Sequence, residues 1–175
     1  MRKRGYHHGN LKQALVEAAL SLIEVKGPTG FTLSEAAKQA GVTPAAVYRH
    51  FEGREDLIAE AARQGYEIFA DVMQYAYDKG QPSALAAFEA TGRAYLAFAR
   101  KFPGYYIAMF ESGVGLNTTP ELAVAARRAH GVIEKAAEDL SRQLPPSRRP
   151  PPSMFRSSLL NKVALGSSSS AVGNT

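Results

Sequence analysis

The sequence predicts an all-α fold, and three observations carry that prediction. Apolar residues recur at spacings of three and four over long stretches, as they do along one face of a helix. Alanine fills many of those positions, and runs of β-branched residues are few. The third observation is a pair of short helical patterns joined at a glycine between Thr32 and Leu57, reading TLSEAAKQAGVTPAAVYRHFEGREDL.

The chain opens with MRKRGYHHG, in which Arg2, Lys3 and Arg4 form a basic arm. Such an arm is either solvated or laid against phosphates or a minor groove. His7 and His8 are adjacent and lack further ligands nearby, so no metal site is expected there. Asn10 and Gln13 have the spacing of a capping box, which predicts a helix from there to about Lys26. Leu11, Leu15, Ala18, Ala19, Leu22 and Ile23 form its apolar stripe. Gly27-Pro28 ends it. Phe31 and Leu33 are expected to enter the same core.

Thr32 and Glu35 form a second capping box and open the next helix. Ala36, Ala37 and Ala40 share one of its faces, and Gly41 supplies a left-handed stop. Thr43 is a good N-cap and Pro44 suits the first helical position, so a further helix should run to about Phe51. Two helices joined by so short a turn have the helix-turn-helix pattern. With Val47 and Phe51 facing inward, Ala45, Ala46, Tyr48, Arg49 and His50 remain outside. Small residues allow close approach to another surface, and Tyr, Arg and His donate to phosphates and base edges. The alternative is an ordinary helical hairpin with a polar face.

From Arg54 a helical pattern continues to about Lys79 through Leu57, Ile58, Ala61, Ala62, Tyr66, Phe69, Val72, Met73 and Ala76, stopping at Gly80. Another is expected from Pro82 to Phe102, with Leu85, Phe88, Tyr95, Leu96, Phe98 and Ala99 as apolar positions. Pro103-Gly104 breaks it before a short helix over Tyr105–Glu111. Thr119-Pro120 starts the last long pattern, which reaches about Leu144. Gly113 and Gly115 do not make a dinucleotide fingerprint, since no strand precedes them. Residues 145–175 are rich in Pro and Ser, and only MFRSSLLNKVAL offers a brief helical pattern. A truncated or frameshifted frame, a divergent tail, and a short substitute helix at 153–165 all fit that ending.

Charge is distributed unevenly. Residues 1–54 carry eight Lys/Arg against four Asp/Glu, residues 55–144 nine against twelve, and residues 145–175 four against none. The positive field is therefore strong around the helix-turn-helix, as expected of a module that binds a polyanion. There are no cysteines, which removes disulfides and thiolate metal sites. No apolar run is long enough for a membrane span, which fits a soluble, cytoplasmic protein. No nucleophile–base pair, metal cluster or phosphate loop is visible, so neither enzymatic activity nor a cofactor is expected.

The segment Gly41–Leu57, GVTPAAVYRHFEGREDL, resembles the signature of the tetracycline-repressor (TetR) family of bacterial transcription regulators. That signature is G-V-[ST]-x-x-x-[LVI]-Y-x-[HY]-F-x-x-K-x-x-L, and this chain departs from it in carrying Arg54 for the usual Lys. GYHHGNLKQALVEAALSLIEVKG and GFTLSEAAKQA are similar to the family's first and second helices. The resemblance implies a three-helix DNA-binding domain at 1–54, a helical ligand-binding and dimerisation domain at 55–144, and a tail at 145–175 that looks truncated or altered. It implies a ligand-responsive repressor that binds a palindromic operator as a homodimer. The DNA-facing set would be Arg2, Lys3, Arg4, Thr32, Thr43, Pro44, Ala45, Ala46, Tyr48, Arg49, His50 and Arg54. Thr43, Tyr48, His50 and Arg54 would touch phosphate, while Ala45, Ala46 and Arg49 sit where bases are read. An effector pocket would draw on Tyr66, Phe69, Met73, Tyr95, Phe98, Phe102, Tyr105, Tyr106, Met109 and Phe110, which could equally be core. The other functional reading is a protein–protein module, or a variant that binds DNA unproductively because its dimerisation helices are missing.

Overall fold

A computed structural model describes residues 8–151, with side chains described from Leu11 onward. The basic arm Arg2–Arg4 and residues 152–175, including the pattern at 153–165, lie outside the described residues. The order is α1 (His8–Lys26), α2 (Leu33–Gln39), α3 (Pro44–Val47), α4 (Arg54–Tyr77), α5 (Ala84–Lys101), α6 (Pro103–Phe110) and α7 (Pro120–Arg142), with short 3-10 turns at Asp78–Gly80 and Pro146–Arg148. Among the described residues there is no strand. Because α1 already includes Asn10, that residue cannot be its N-cap.

The chain divides into two compact units. The first holds the chain up to Gly65 together with Phe102–Val114, and the second holds Tyr66–Lys101 and the chain from Gly115 on. This differs from the division at residue 54 expected from the sequence. The first turns of α4 and the whole of α6 belong to the unit that holds the helix-turn-helix, and α6 packs on α1.

In the first unit, Leu15, Val16, Ala19 and Ile23 of α1 are fully buried, with Phe31, Ala36, Ala37, Val47 and Leu57. Full burial of each large side chain stabilises by about 1.5–3 kcal/mol, so these residues make a sufficient core for a small head. Helix α6 joins α1 through a charged hydrogen bond, in which the Gly104 N–H donates to Glu24 Oε1 at 3.0 Å. The approach is close because Gly104 has no side chain. A Cβ there would stand 2.8 Å from that carboxylate oxygen and 3.0 Å from the Leu20 carbonyl. The Tyr105 hydroxyl donates to Gln64 Oε1 at 3.2 Å and so ties α6 to α4 as well.

Gln64 belongs to a polar cluster around Glu60 of α4. Arg63 donates to both Glu60 oxygens at 3.0 and 2.8 Å, Gln64 Nε2 donates at 3.0 Å, and Lys12 Nζ of α1 lies 3.3 Å away. Burial alone would raise the Glu60 pKa. The hydrogen bonds from Arg63 and Gln64, with the charges of Arg63 and Lys12, outweigh it and hold the carboxyl at about 2.

In the second unit, α5 turns Ala84, Ala87, Thr91 and Phe98 inward, while α7 buries Leu122, Ala125, Ala126, Ala129, Val132, Ala136 and Ala137. Leu85, Phe88 and Leu96, expected in that core, are exposed, because the buried stripe of α5 runs along its other side. Thr119 caps α7 by accepting from the Leu122 N–H at 3.1 Å. At the end of α4 the Tyr77 hydroxyl donates to Asp139, which also accepts from Lys135 Nζ at 2.6 Å and Arg142 Nη1 at 2.9 Å. Along the chain, Phe102 alone separates α5 from α6. Pro103, expected to break structure, is the first residue of α6, where its missing N–H costs nothing.

Glu60 makes acid sensitivity testable. Its depressed pKa contributes stability that is complete above about 4.5 and is lost as pH falls toward 2. Glu60→Gln should cost on the order of 1–2 kcal/mol at pH 7 after allowance for solvent screening, and nothing near pH 2. Denaturant titrations of both proteins across that range check this, and parallel stability curves would refute it.

Candidate nucleic-acid interface

The site is built around a helix too short to hold itself. Helix α3 has only four residues, and the chain continues through turns at Tyr48–His50 rather than as helix to Phe51. The His50 and Phe51 N–H groups both donate to the Val47 carbonyl, at 2.9 and 3.0 Å, which tightens the exit. Val47 and Phe51 are buried as the spacing requires, at 0% and 2% exposure. The other faces point outward: Ala45, Tyr48 and Arg49 are exposed, and Ala46 and His50 are half-buried. Tyr48 is 61% exposed.

What aims α3 is the end of α2. Gly41 adopts φ +72°, the left-handed region. The Val42 N–H donates to the Ala37 carbonyl at 2.9 Å and the Gly41 N–H to the Lys38 carbonyl at 3.1 Å. These two bonds together form a Schellman motif, which fixes the direction in which the chain leaves α2.

The start of α2 is fixed as firmly. The Thr32 hydroxyl accepts from the Glu35 N–H at 3.2 Å, and Glu35 Oε2 accepts from the Thr32 N–H at 2.8 Å, completing the capping box. Thr32 also donates its hydroxyl proton to Glu35, at 3.1 Å, so that hydroxyl is engaged within the protein. Lys26 Nζ reaches Glu35 Oε1 at 2.6 Å. The bond to Lys26, then those to Thr32, hold the Glu35 carboxyl below the usual range.

Thr43 makes no side-chain capping bond, unlike Thr32. Its hydroxyl is exposed beside Pro44, Ala45 and Tyr48, so these four residues and Arg49 form one outward surface. Arg54, whose position in the motif suggests a phosphate contact, is turned onto the α1–α2 connection. Its Nη1 donates to the Thr29 carbonyl at 3.0 Å and to the Phe31 carbonyl at 3.3 Å, and its Nε is buried without a partner. Neither this contact nor Lys26–Glu35 can be read from the sequence. Each joins residues nine or more positions apart across a loop whose path the sequence does not state.

The ten expected pocket residues fall into two groups. Phe102, Tyr105, Tyr106, Met109 and Phe110 lie in the first unit, fastened by the Gly104–Glu24 and Tyr105–Gln64 bonds. Tyr66, Phe69, Met73, Tyr95 and Phe98 lie in the second, where the Phe69 ring meets Tyr95 at 5.5 Å and Phe98 at 5.0 Å, both edge-on. Tyr66, Phe69, Met73 and Phe98 are buried and Tyr95 is half-buried. His130 stands edge-on to Tyr66 at 5.6 Å, with its Nε2 buried and unpartnered; burial lowers its pKa. An open cleft of about 770 Å³ in the second unit is lined by Asp71, Gln74, Tyr75, Asp78 and Lys79, together with Ala76, Gln81 and Ala90, and by none of the expected pocket residues. Among the described residues no group of three or more metal-binding side chains occurs, and no helix is long and apolar enough to cross a membrane.

A capped helix, a Schellman turn and a short helix followed by a turn with Tyr48 and Arg49 exposed define a helix-turn-helix protein. Comparison with known proteins narrows the class. Residues 15–61 match the family model described as bacterial regulatory proteins, tetR family, and residues 88–160 match the tetracyclin repressor-like C-terminal domain. Together these matches take in more than half of the chain, which belongs to the tetR family. The uncharacterized HTH-type transcriptional regulator YobS of Bacillus subtilis is 29% identical over 101 residues, covering 57% of this chain and 51% of that protein. The chain thus spans about half the length of that relative. The biofilm operon icaADBC HTH-type negative transcriptional regulator IcaR of Staphylococcus aureus is 22% identical over 134 residues, covering 77% of this chain and 67% of its own. A tetR-family regulatory protein from Rhodococcus RHA1 shares the fold with TM-score 0.66 at 19% identity, over 89% of this chain and 80% of that one.

The two ends of α2 give a stability test. Gly41→Ala places a Cβ at φ +72° and should cost about 1–2 kcal/mol. Thr32→Ala removes the cap and should cost about 0.5–2 kcal/mol. Thermal denaturation checks both, and an unchanged midpoint for either would contradict the assigned geometry.

Proposed function

We propose that this protein is a DNA-binding transcriptional regulator of the repressor type, acting in the cytoplasm as a homodimer on a palindromic operator and released by a small-molecule effector. The observation that carries the reading is the outward surface of Thr43, Pro44, Ala45, Tyr48 and Arg49, spread over a four-residue helix and the turn after it and held by buried Val47 and Phe51. Family membership and the description of IcaR as a negative regulator support it.

In this reading α3 enters the major groove with Ala45 and Ala46 allowing close approach. Arg49 takes a guanine edge through two parallel donors, contributing about 1–3 kcal/mol of discrimination. Thr43, Tyr48 and His50 donate to phosphate, Thr32 and Pro44 line the same approach, and Arg2, Lys3 and Arg4 add charge from the arm. Two heads would engage half-sites about 34–36 Å apart. We assign reading to residues 1–54, regulation to 55–144 and no separate role to 145–175. The effector would act on the second unit, among Tyr66, Phe69, Met73, Tyr95 and Phe98, where His130 with its unpartnered Nε2 stands edge-on to Tyr66. It would lower DNA affinity only by its preference for one of two states.

Selection of binding sites from a random duplex library tests the reading. Arg49→Ala should lose preference at one base position in each half-site, whereas Tyr48→Phe should weaken all sequences alike. Equal loss on selected and random duplexes for Arg49→Ala would remove it from base readout. An affinity that did not fall with rising salt would remove the phosphate contacts altogether.

A further inference from the structure

We propose that Arg54 is a positioning residue for DNA binding, not a phosphate contact: it clamps the peptide that starts α2 and thereby sets the orientation of the helix-turn-helix. The inference rests on the DNA-binding reading above and departs from what the motif position alone suggests.

The Phe31–Thr32 peptide is held at both ends. Its carbonyl accepts from Arg54 Nη1 at 3.3 Å, and its N–H donates to Glu35 Oε2 at 2.8 Å. Arg54 Nη1 also holds the Thr29 carbonyl at 3.0 Å, so one nitrogen bridges two points of the α1–α2 connection. Glu35 is in turn fixed by Lys26 at 2.6 Å. The chain of contacts therefore runs from the last residue of α1, through the first turn of α2, to the first residue of α4. An arginine at the first position of a helix also opposes the helix dipole. Here the side chain turns back across 25 residues of sequence to neutral carbonyls, and its Nε stays buried without a partner. A guanidinium free to meet phosphate would keep that donor in water. Both bonds come from Nη1 at the far end of the side chain, one covalent bond further from the backbone than a lysine Nζ, so a lysine reaches the two carbonyls less well.

The full-length protein with Arg54→Ala and Arg54→Lys tests the clamp in two ways. The first needs no DNA: amide hydrogen exchange at Thr32 should speed up by about tenfold or more in Arg54→Ala, and by less in Arg54→Lys. Unchanged exchange overturns the clamp. The second measures binding to a mixed-sequence 30-base-pair duplex over a range of salt, well below the melting temperature of every variant. Both variants should bind more weakly, Arg54→Ala by about tenfold, with the slope of log affinity against log salt as in the parent. A slope reduced by about 0.9, or Arg54→Lys binding as tightly as the parent, makes Arg54 a phosphate contact and overturns the proposal. Full affinity in both variants overturns it too, since the clamp would then be purely structural. If the parent protein shows no salt-dependent binding, the DNA-binding reading fails by itself, while the exchange experiment still decides the clamp.

Discussion

A helix of four residues has no stability of its own, because nucleation fixes three residues for a single hydrogen bond. Helix α3 therefore exists only where its inner residue Val47, and Phe51 just beyond the following turn, are buried, and everything that shapes their pocket also shapes the outward surface of Tyr48 and Arg49. This constraint explains the otherwise excessive fastening of α2. Both its ends are fixed by paired hydrogen bonds, a capping box at Thr32 and a Schellman motif at Gly41, although α2 is only seven residues long. Each bond is worth only about 1 kcal/mol. Their joint effect is directional: they leave α2 one start and one exit, and α3 follows from the exit.

The small size of the head also explains why the first unit is larger than three helices. A short three-helix head leaves part of its apolar surface without a partner within the three helices. Helix α6 adds side chains to it. Its attachment uses polar bonds at the edge, Gly104 to Glu24 and Tyr105 to Gln64, with Glu60 drawing α1 and α4 together beside them. Removing the Glu60 charge would leave Arg63 and Lys12 facing each other with no anion between them. That makes the carboxylate more consequential than an exposed surface pair, whose worth is commonly below about 1 kcal/mol.

Elements written in local sequence are legible from the residues alone. Thr32 and Glu35, Gly41 and Thr119-Pro120 all rest on contacts within five residues, and Val47 and Phe51 on their spacing of four; each lies where the pattern puts it. Where sequence and structure part, the outcome depends on the packing partner. Helix α5 carries two apolar stripes, and periodicity alone does not say that Ala84, Ala87 and Phe98 are buried while Leu85, Phe88 and Leu96 are not. Proline at 103 reads as a break, yet it fits equally at the first position of a helix that starts one residue after the previous one ends. For Arg54, a motif position records the residue type and not where its side chain turns.

The net charge of the head exceeds the charge it can present. Of the basic side chains from Lys12 to Arg54, Lys12 faces Glu60, Lys26 faces Glu35, and Arg54 is turned onto carbonyls. Among the described residues only Lys38 and Arg49 of this stretch have no internal partner. A cation paired with a carboxylate contributes little field beyond a few ångströms, so the excess over residues 1–54 overstates what a phosphate would meet. Neutral donors such as the Tyr48 and Thr43 hydroxyls can position a backbone without releasing counterions. A head of this kind depends on geometry for its affinity more than its charge suggests. In the proposed DNA-binding role, the bonds fixing α2 would then matter more than their individual energies.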